Sequence, residues 1–245
     1  MRVLEVERGR VKIGISAPPD VPVLREELPS REEEQFSPSA VGGAQKNGSL
    51  ARPHTYVDAL RGVLAQLDTD AIEAIAEALI QAREANRAVF IVGNGGSAST
   101  ASHMATDLCK VTAWHGQPGV RAMSLPDNVA LLTAWSNDEG YDQSFAGPVE
   151  AYVSPDDVLI AISASGNSPN VLEATRVANR IGAVTIGLTG FGGGELASLA
   201  QISIVVPADN YGLVEDAHLA INHALTEAIK ARIRYGRDIE LAKAA

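Results

Sequence analysis

The pattern of apolar and polar residues divides the chain into three parts. In residues 1–28, apolar and polar residues alternate with a period of two. The alternation is interrupted at Arg8-Gly9-Arg10 and at Ala17-Pro18-Pro19-Asp20, so three short β-strands are predicted. Residues 29–54 are polar, rich in serine, glycine and proline, and show little apolar periodicity, so a flexible linker is predicted there. Residues 55–238 carry the regular pattern of a folded domain.

Helical and strand periodicities follow one another within this domain. Helical spacing of apolar residues predicts two helices, 57–67 and 71–87, whose apolar faces are expected to pack within the domain and at a subunit interface. Beyond them, strands are predicted at 88–92, 120–124, 158–162, 183–188 and 202–206, and helices at 97–110, 128–135, 170–181 and 213–235, with a short helix before the last strand. This alternation predicts an α/β fold, a three-layer doubly wound parallel sheet with a small N-terminal β segment. Ligands of such sheets bind at the C-terminal ends of the strands.

A glycine-serine loop follows the first core strand. Asn94, Gly95 and Gly96 permit a tight turn, and Ser97 is predicted to cap the next helix, whose free N–H groups and dipole favour a phosphate. No Lys-Ser/Thr pair follows the glycines, and their spacing is not G-x-G-x-x-G, so neither nucleotide-binding motif fits. We therefore expect no nucleotide or organic cofactor.

A second loop of the same kind follows the strand at 158–162. Ser163, Ser165 and Ser168 each supply a hydroxyl donor, and Gly166 permits close approach of the backbone. Pro169 is predicted to be the first helical residue behind a serine N-cap. One such loop is typical of an ordinary strand-to-helix turn, but two in corresponding positions favour a site for a phosphorylated ligand.

Composition and charge narrow the function classes. The chain has 245 residues, 46% hydrophobic and 20% charged, enough for one domain of ordinary size and a smaller appendage. Its apolar runs stop well short of the ~20 residues that a bilayer needs, so we expect no membrane span and a cytoplasmic location. The net charge of −10 argues against general affinity for nucleic acid or anionic membranes. Cys109 is the single cysteine and is interpreted as a packed side chain rather than a nucleophile.

Residues 56–234 resemble the sugar isomerase (SIS) domain family, and within it the phosphoheptose isomerases. The motifs that carry this resemblance are GNGGSA at 93–98, the pair His103 and Asp107, DNVALLTAWSND at 127–138, SASGNS at 163–168 and a late helix that carries Glu215 and His223. The resemblance implies a flavodoxin-like sheet and a homotetramer with sites at subunit boundaries. It also implies conversion of sedoheptulose 7-phosphate into D-glycero-D-manno-heptose 7-phosphate through an enediol.

The alternative function from another class is a non-catalytic SIS domain. Such a protein binds phosphosugars or associates with the bacterial replication initiator without catalysing a reaction. It needs no acid-base pair, whereas this chain carries a carboxylate and an imidazole at the positions where the family has its catalytic groups. The sequence therefore favours the enzyme.

The resemblance also assigns roles to individual residues. His103 and Asp107 are four residues apart and share one face of their helix. Glu215 and His223 project about 80° apart on the last helix, so these two side chains are expected to line one cleft. By resemblance, Asp107 is the catalytic base and His223 the catalytic acid. The resemblance assigns the 7-phosphate to Ser97, Ser163, Ser165 and Ser168, and the rest of the substrate site to Asn94, Gly95, Gly96, Asn137, Asp138, Ala164 and Glu215. For Asn137 and Asp138 a helix-ending turn is the open alternative, and His218 is interpreted as a packing or interface residue.

Two positions depart from the family pattern. Asp107 stands where the family usually has glutamate, and Glu215 stands where it usually has glutamine. Displacing a catalytic base by ~1 Å lowers the reaction rate on the order of a hundredfold. Because aspartate is shorter than glutamate, two alternatives remain: a different phosphosugar substrate, or loss of the activity. The second change makes a set of two imidazoles and two carboxylates, His103, Asp107, Glu215 and His223, which suits zinc or another divalent metal ion.

Residues 1–28 resemble the C-terminal half of a carbon storage regulator, a small RNA-binding dimer. The matching stretches are VLEV, VKIGI followed by APPDV, and a V-REE sequence in which Arg25 corresponds to an arginine that such proteins use on RNA. We expect no RNA binding, because that family's first two strands have no counterpart before Met1 and because Glu26 and Glu27 add negative charge. The segment is interpreted as a truncated remnant or as a small β element docked on the main domain.

Overall fold

The computed structural model describes residues 2–7, 10–14, 50 and 52–244, and its contacts separate two units, 1–45 and 46–245. In the first unit, β1 (Arg2–Glu7) and β2 (Arg10–Gly14) pair antiparallel. They correspond to the first two predicted N-terminal strands, and the third lies outside the described residues. The division between the units falls inside the linker predicted at 29–54, and the domain boundaries otherwise stay a prediction.

The second unit contains a five-stranded parallel sheet, as the alternating pattern predicted. Its strands are β3 (Ala88–Gly93), β4 (Arg121–Ser124), β5 (Val158–Ile162), β6 (Val184–Thr189) and β7 (Ile202–Val205). Their spatial order is β4-β3-β5-β6-β7, and every neighbouring pair is parallel. This is the flavodoxin-like order, in which the second strand lies outside the first.

Eight α-helices accompany the strands in the described part of the chain. They are α1 (Pro53–Leu64), α2 (Thr69–Glu84), α3 (Gly96–Thr106), α4 (Val129–Asp138), α5 (Ala146–Tyr152), α6 (Pro169–Ile181), α7 (Leu196–Leu199) and α8 (Tyr211–Ala244). Two helices therefore precede the first core strand, as predicted. Among the described helices, none combines the length and the hydropathy needed to cross a membrane.

Alternate residues of the central strands enter two separate hydrophobic cores. In β3, Val89 and Ile91 pack in the core shared with α1, α2, α3 and α8, whereas Phe90 and Val92 pack in the core shared with α5, α6 and α7. Because side chains of a strand alternate between its faces, a strand covered on both sides is apolar throughout. This double burial gives the three layers that the sequence predicted.

The helix after the first loop ends earlier than predicted. Regular α-helix stops at Thr106 and a π-helical turn, Asp107–Val111, follows it. The carbonyl of Leu108 accepts hydrogen bonds from the Val120 N–H and the Thr112 hydroxyl, while the Thr112 N–H donates to Asp107 instead. The wider turn therefore comes from a contact with the strand β4 region, which helical periodicity does not reveal.

Three further differences from the prediction concern local features. Helix α5 was not predicted, because Gly147 and Pro148 within it are typical of a loop. Helix α8 begins at Tyr211 and is longer than the predicted 213–235; its side chains are described as far as Tyr235. Cys109 is exposed rather than packed, since it lies on the outer side of the π-helical turn.

Candidate active site

The first loop leaves the sheet at Gly93, which pairs with Ile162 at the start of the second loop. The two loops therefore begin side by side, at the C-terminal ends of two neighbouring strands. Gly95 is the N-cap of α3 with φ of +54°, a conformation that favours glycine. The prediction that Ser97 caps this helix is wrong: Ser97 lies inside the first turn and is buried, because the chain has already entered the helix at Gly96.

The second loop presents its serines at the start of α6. Ser168 is the N-cap and Pro169 the first helical residue, as predicted, and the Ser168 Oγ lies 3.0 Å from the Ser163 Oγ instead of capping the helix. Ser163 and Ala164 are buried, whereas Ser165 and Ser168 are half-buried. The loop thus places two partly exposed hydroxyls at the N-terminus of a helix, a position whose dipole favours phosphate.

Gly166 fixes the shape of this second loop. Its φ is +68°, and a Cβ there would lie 2.0 Å from the carbonyl oxygen of Gly193 in the loop after β6. The Leu196 N–H also donates to the Gly166 carbonyl at 2.9 Å. The serine loop is therefore packed directly on its neighbour and tolerates no side chain at this position.

A polar network that the sequence did not reveal orients Asn94. The side-chain amides of Asn94 and Asn170 hydrogen-bond each other reciprocally at 2.8 and 2.9 Å. The Tyr141 hydroxyl donates to the Asn94 Oδ1 at 2.8 Å, and the buried Asn170 also donates to the Ser144 Oγ at 3.0 Å. The partners are 47 to 76 residues from Asn94 in the chain, so no local pattern could have identified them.

A carboxylate and two imidazoles meet between α3 and α8. The Asp107 Oδ2 lies 3.3 Å from the His103 Nε2 and 3.7 Å from the His223 Nε2, and the two imidazole nitrogens are 3.4 Å apart. The histidine side chains are 44% and 55% exposed and the Asp107 side chain only 13%, so the carboxylate forms the floor of an open cluster. We call these three residues the His-Asp-His cluster.

Two further residues of α8 lie on its buried side. Asn222 is fully buried and donates from its Nδ2 to the Asp107 Oδ2 at 2.9 Å, a contact that the sequence did not predict. His218 is also fully buried, with its Nε2 3.1 Å from the Thr189 carbonyl, which agrees with a packing role. Burial lowers the pKa of His218 to about 4, although the hydrogen bond to Thr189 acts in the opposite direction.

Glu215 does not join the His-Asp-His cluster, although the sequence placed it with those residues as a metal ligand. The ligand atoms of His103, Asp107 and His223 lie within 4.8 Å of one another without it. Glu215 and His223 are eight residues apart on α8, about 12 Å along the helix axis. The Glu215 carboxylate instead lies against Gly96, where an added Cβ would be 2.3 Å from its Oε1.

Asn137 and Asp138 end helix α4. Both are exposed, and the Asn137 Nδ2 donates to the Asp138 Oδ1 at 2.8 Å. Their position is that of the helix-ending turn that the sequence left open. Their part in a sugar pocket stays a prediction.

Comparison with known proteins gives matches along most of the chain. The sequence profile of the SIS domain matches residues 55–190, and that of a global regulator protein family matches residues 1–34. The phosphoheptose isomerase of Chlorobaculum parvum is 35% identical over 182 residues, which are 74% of this chain and 87% of that protein. The phosphoheptose isomerase of a Bradyrhizobium species is 40% identical over 161 residues, 66% of this chain and 81% of that protein.

Solved structures agree with the sequence matches. The structure of a phosphoheptose isomerase from Francisella tularensis superposes with a TM-score of 0.70 at 31% identity, and the alignment covers 75% of this chain and 98% of that one. The described α/β unit therefore has the fold of that enzyme.

Proposed function

The chain belongs to the SIS-domain family, among the phosphoheptose isomerases, and we propose that it converts sedoheptulose 7-phosphate into D-glycero-D-manno-heptose 7-phosphate. The observation that carries this proposal is the His-Asp-His cluster. It brings a carboxylate within 3.3 and 3.7 Å of two imidazoles in a member of an aldose-ketose isomerase family. A carboxylate and an imidazole are the acid-base groups that such a proton transfer needs.

The phosphate is assigned to the second loop. Ser165 and Ser168 offer accessible hydroxyls at the N-terminus of the thirteen-residue helix α6, and the Ser168 hydroxyl is not used to cap that helix. Ser97 is buried, and the carboxylate of Glu215 lies against Gly96 at the start of α3, so negative charge already stands at the first loop. Repulsion between this carboxylate and a phosphate favours the second loop.

The reaction needs two proton transfers, and the cluster supplies a group for each. Asp107 removes a proton from C1 of the ketose, and His223 donates a proton to the carbonyl oxygen on C2, which gives the enediol. His223 then takes the proton from the hydroxyl on C1, and Asp107 returns its proton to C2, which gives the aldose. Both groups end in their starting protonation states, so one pair of residues serves the reaction in both directions.

The cluster also fits a zinc ion, which we include in the proposal. Tetrahedral zinc bonds of about 2.0–2.1 Å to nitrogen and oxygen set neighbouring ligand atoms about 3.3–3.4 Å apart. The distances among the His103 Nε2, the Asp107 Oδ2 and the His223 Nε2 are 3.3, 3.4 and 3.7 Å. A zinc ion held there would polarise the substrate oxygens and stabilise negative charge that develops on them. It would do so in place of the proton from His223, because an imidazole nitrogen bound to zinc carries no proton. The Asp107 Oδ1 has no hydrogen-bond partner among the described residues and is left for the proton transfer.

A homotetramer in the cytoplasm completes the proposal. Helix α4 has an apolar sequence, VALLTAWSND, yet none of its residues is fully buried, and Val129 is 64% exposed. Met123, 54% exposed, lines one open groove with Val129. A subunit interface would cover this surface. The exposed thiol of Cys109 suits the cytoplasm, where thiols stay reduced.

The proposed activity is tested with purified full-length protein in deuterated water. Sedoheptulose 7-phosphate is expected to exchange its C1 proton and to form the aldose, and ketose phosphates with shorter chains are expected to react more slowly. A chelator should lower the rate and added zinc should restore it. Binding of these sugar phosphates without any proton exchange would instead support the non-catalytic alternative.

A further inference from the structure

Asn222 contacts the proposed base from the buried side of α8. Successive residues of an α-helix project about 100° apart, so Asn222 and His223 reach Asp107 from two directions. His223 is 55% exposed, whereas Asn222 is fully buried, and the Asn222 Nδ2 donates to the Asp107 Oδ2 at 2.9 Å. Helix α8 therefore contacts this carboxylate from both its solvent side and its buried side.

Packing by itself does not account for an asparagine at this position. The Asn222 Oδ1 is buried and has no hydrogen-bond partner among the residues that the structure describes. A flip of the amide would place this oxygen against the Asp107 carboxylate, where two acceptors repel. An unpaired buried acceptor destabilises a protein, so an apolar side chain of similar volume would be more stable here. The amide is retained at a cost, and the one contact it gains is with Asp107.

We propose that Asn222 is a positioning residue, which holds the Asp107 carboxylate with its Oδ2 in the His-Asp-His cluster and its Oδ1 available for the substrate proton. This inference rests on the proposed function, because it assigns a partner to the proposed base. The position of the Asp107 carboxylate matters for the reaction, because a misplacement of ~1 Å lowers the rate on the order of a hundredfold. Hydrogen bonds to a carboxylate are also strong enough to set its orientation.

The test compares variants of Asn222 with a control on the same helix. Asn222→Leu keeps a similar volume and removes the donor, and Asn222→Asp keeps the shape and replaces the donor with an acceptor. Thr226→Val is the control, because Thr226 lies one turn further along α8, is buried, and has a hydroxyl without a partner among the described residues. The measured quantities are kcat and KM for sedoheptulose 7-phosphate and the melting temperature.

We expect both Asn222 variants to lose roughly 10- to 100-fold in kcat, the usual effect of removing a hydrogen bond that orients a functional group, while KM changes less than threefold. Thr226→Val should stay within twofold of wild type. Asn222→Leu should melt no lower than wild type, since it removes the unpaired acceptor. A residue with a purely structural role would not lower kcat while leaving the melting temperature unchanged.

The inference would be overturned if wild type were active and a folded Asn222→Leu or Asn222→Asp protein kept kcat within twofold of it. It would also be overturned if Thr226→Val lost as much kcat as they do, because the loss would then come from α8 packing. Should Asn222→Leu not fold, the isosteric Asn222→Asp protein decides by itself. The proposed function fails differently, since wild type itself would then show no proton exchange.

Discussion

At the residue scale, Asp107 shows how one side chain depends on its surroundings. Its Oδ2 receives the Asn222 amide at 2.9 Å and lies 3.3 and 3.7 Å from the two imidazoles of the cluster. The side chain is one methylene shorter than the family's usual glutamate, yet it reaches these groups. Aspartate in place of glutamate at position 107 is therefore compatible with an assembled cluster.

Substitutions of Asp107 test its role as the base. Asp107→Asn removes the proton acceptor at constant shape, so proton exchange should fall at least 10²-fold, within the range of general base catalysis. Asp107→Glu should lower the turnover of sedoheptulose 7-phosphate on the order of a hundredfold, because the added methylene moves the carboxylate by ~1 Å. Both are measured as C1 proton exchange in deuterated water.

Asp156→Asn is the matched control, since Asp156 forms a surface ion pair with Arg87 at 3.2 Å and should leave the rate unchanged. Exchange at the wild-type rate in Asp107→Asn would show that another group, with Glu215 the first to examine, is the base. A gain in turnover in Asp107→Glu would show that the native aspartate is misplaced for this sugar.

His218 makes stability depend on pH. Burial lowers its pKa from 6.5 to about 4, so between these values the unfolded chain binds a proton that the folded chain does not. The free energy of unfolding therefore decreases as the pH falls from about 6.5 towards 4, and the loss at pH 5 is about 2 kcal/mol relative to pH 7.5. Urea unfolding of wild type and of His218→Gln at fixed protein concentration measures this contribution.

The variant should show a weaker pH dependence by that amount, whatever its absolute stability. His115→Gln is the control, because His115 is exposed. Equal pH dependence in wild type and in His218→Gln would mean that buried His218 does not resist protonation.

At the element scale, the second loop and α6 form the proposed phosphate site, and several features fix its shape in advance. Gly166 at φ +68° packs against Gly193, Ser168 occupies the N-cap, and Pro169 starts the helix with a residue that lacks an N–H group. Each feature restricts the loop before any ligand arrives, so little conformational entropy is lost on binding. The sequence predicted all of these positions except the contact with Gly193.

Removal of the accessible hydroxyls tests this element. In the Ser165→Ala/Ser168→Ala double variant, two hydrogen bonds to a charged phosphate are lost, at about 1.5–3 kcal/mol each, so affinity for sugar phosphates should fall at least 100-fold. Isothermal titration calorimetry with sedoheptulose 7-phosphate measures the change. Ser198→Ala, which removes an exposed hydroxyl from α7, should leave affinity unchanged. Unaltered affinity in the double variant would place the phosphate elsewhere.

At the scale of the whole molecule, the apolar surface of α4 and β4 indicates association. Val129 and Met123 are more than half exposed and line the same groove, although both are large and apolar. A single chain gains nothing by presenting them to water, whereas a second copy would bury them. The exposed apolar surface thus supports the proposed oligomer.

Light scattering coupled to size-exclusion chromatography tests the assembly. Wild type should elute with the mass of four chains, and Val129→Asp should give smaller species, because a charge buried in an interface lacks a partner. Tyr152→Asp, at an exposed position on α5, is the control and should keep the tetramer. A wild-type monomer at micromolar concentration would contradict the proposal.

Much of this architecture was determined by the sequence alone, because strand and helix periodicities are local. Strand β5 has the predicted bounds, the flavodoxin-like order and both loops were expected, and Ser168 and Pro169 stand where predicted. The first two N-terminal strands also followed from their alternation.

Only the tertiary structure decided which polar groups meet. It buried Ser97, moved Glu215 away from the His-Asp-His cluster and brought Asn222 to Asp107 from 115 residues away. It also widened the turn at Asp107, because the Leu108 carbonyl is engaged by Val120. These outcomes depend on distances between segments far apart in the chain, which the spacing of residues along one segment does not contain.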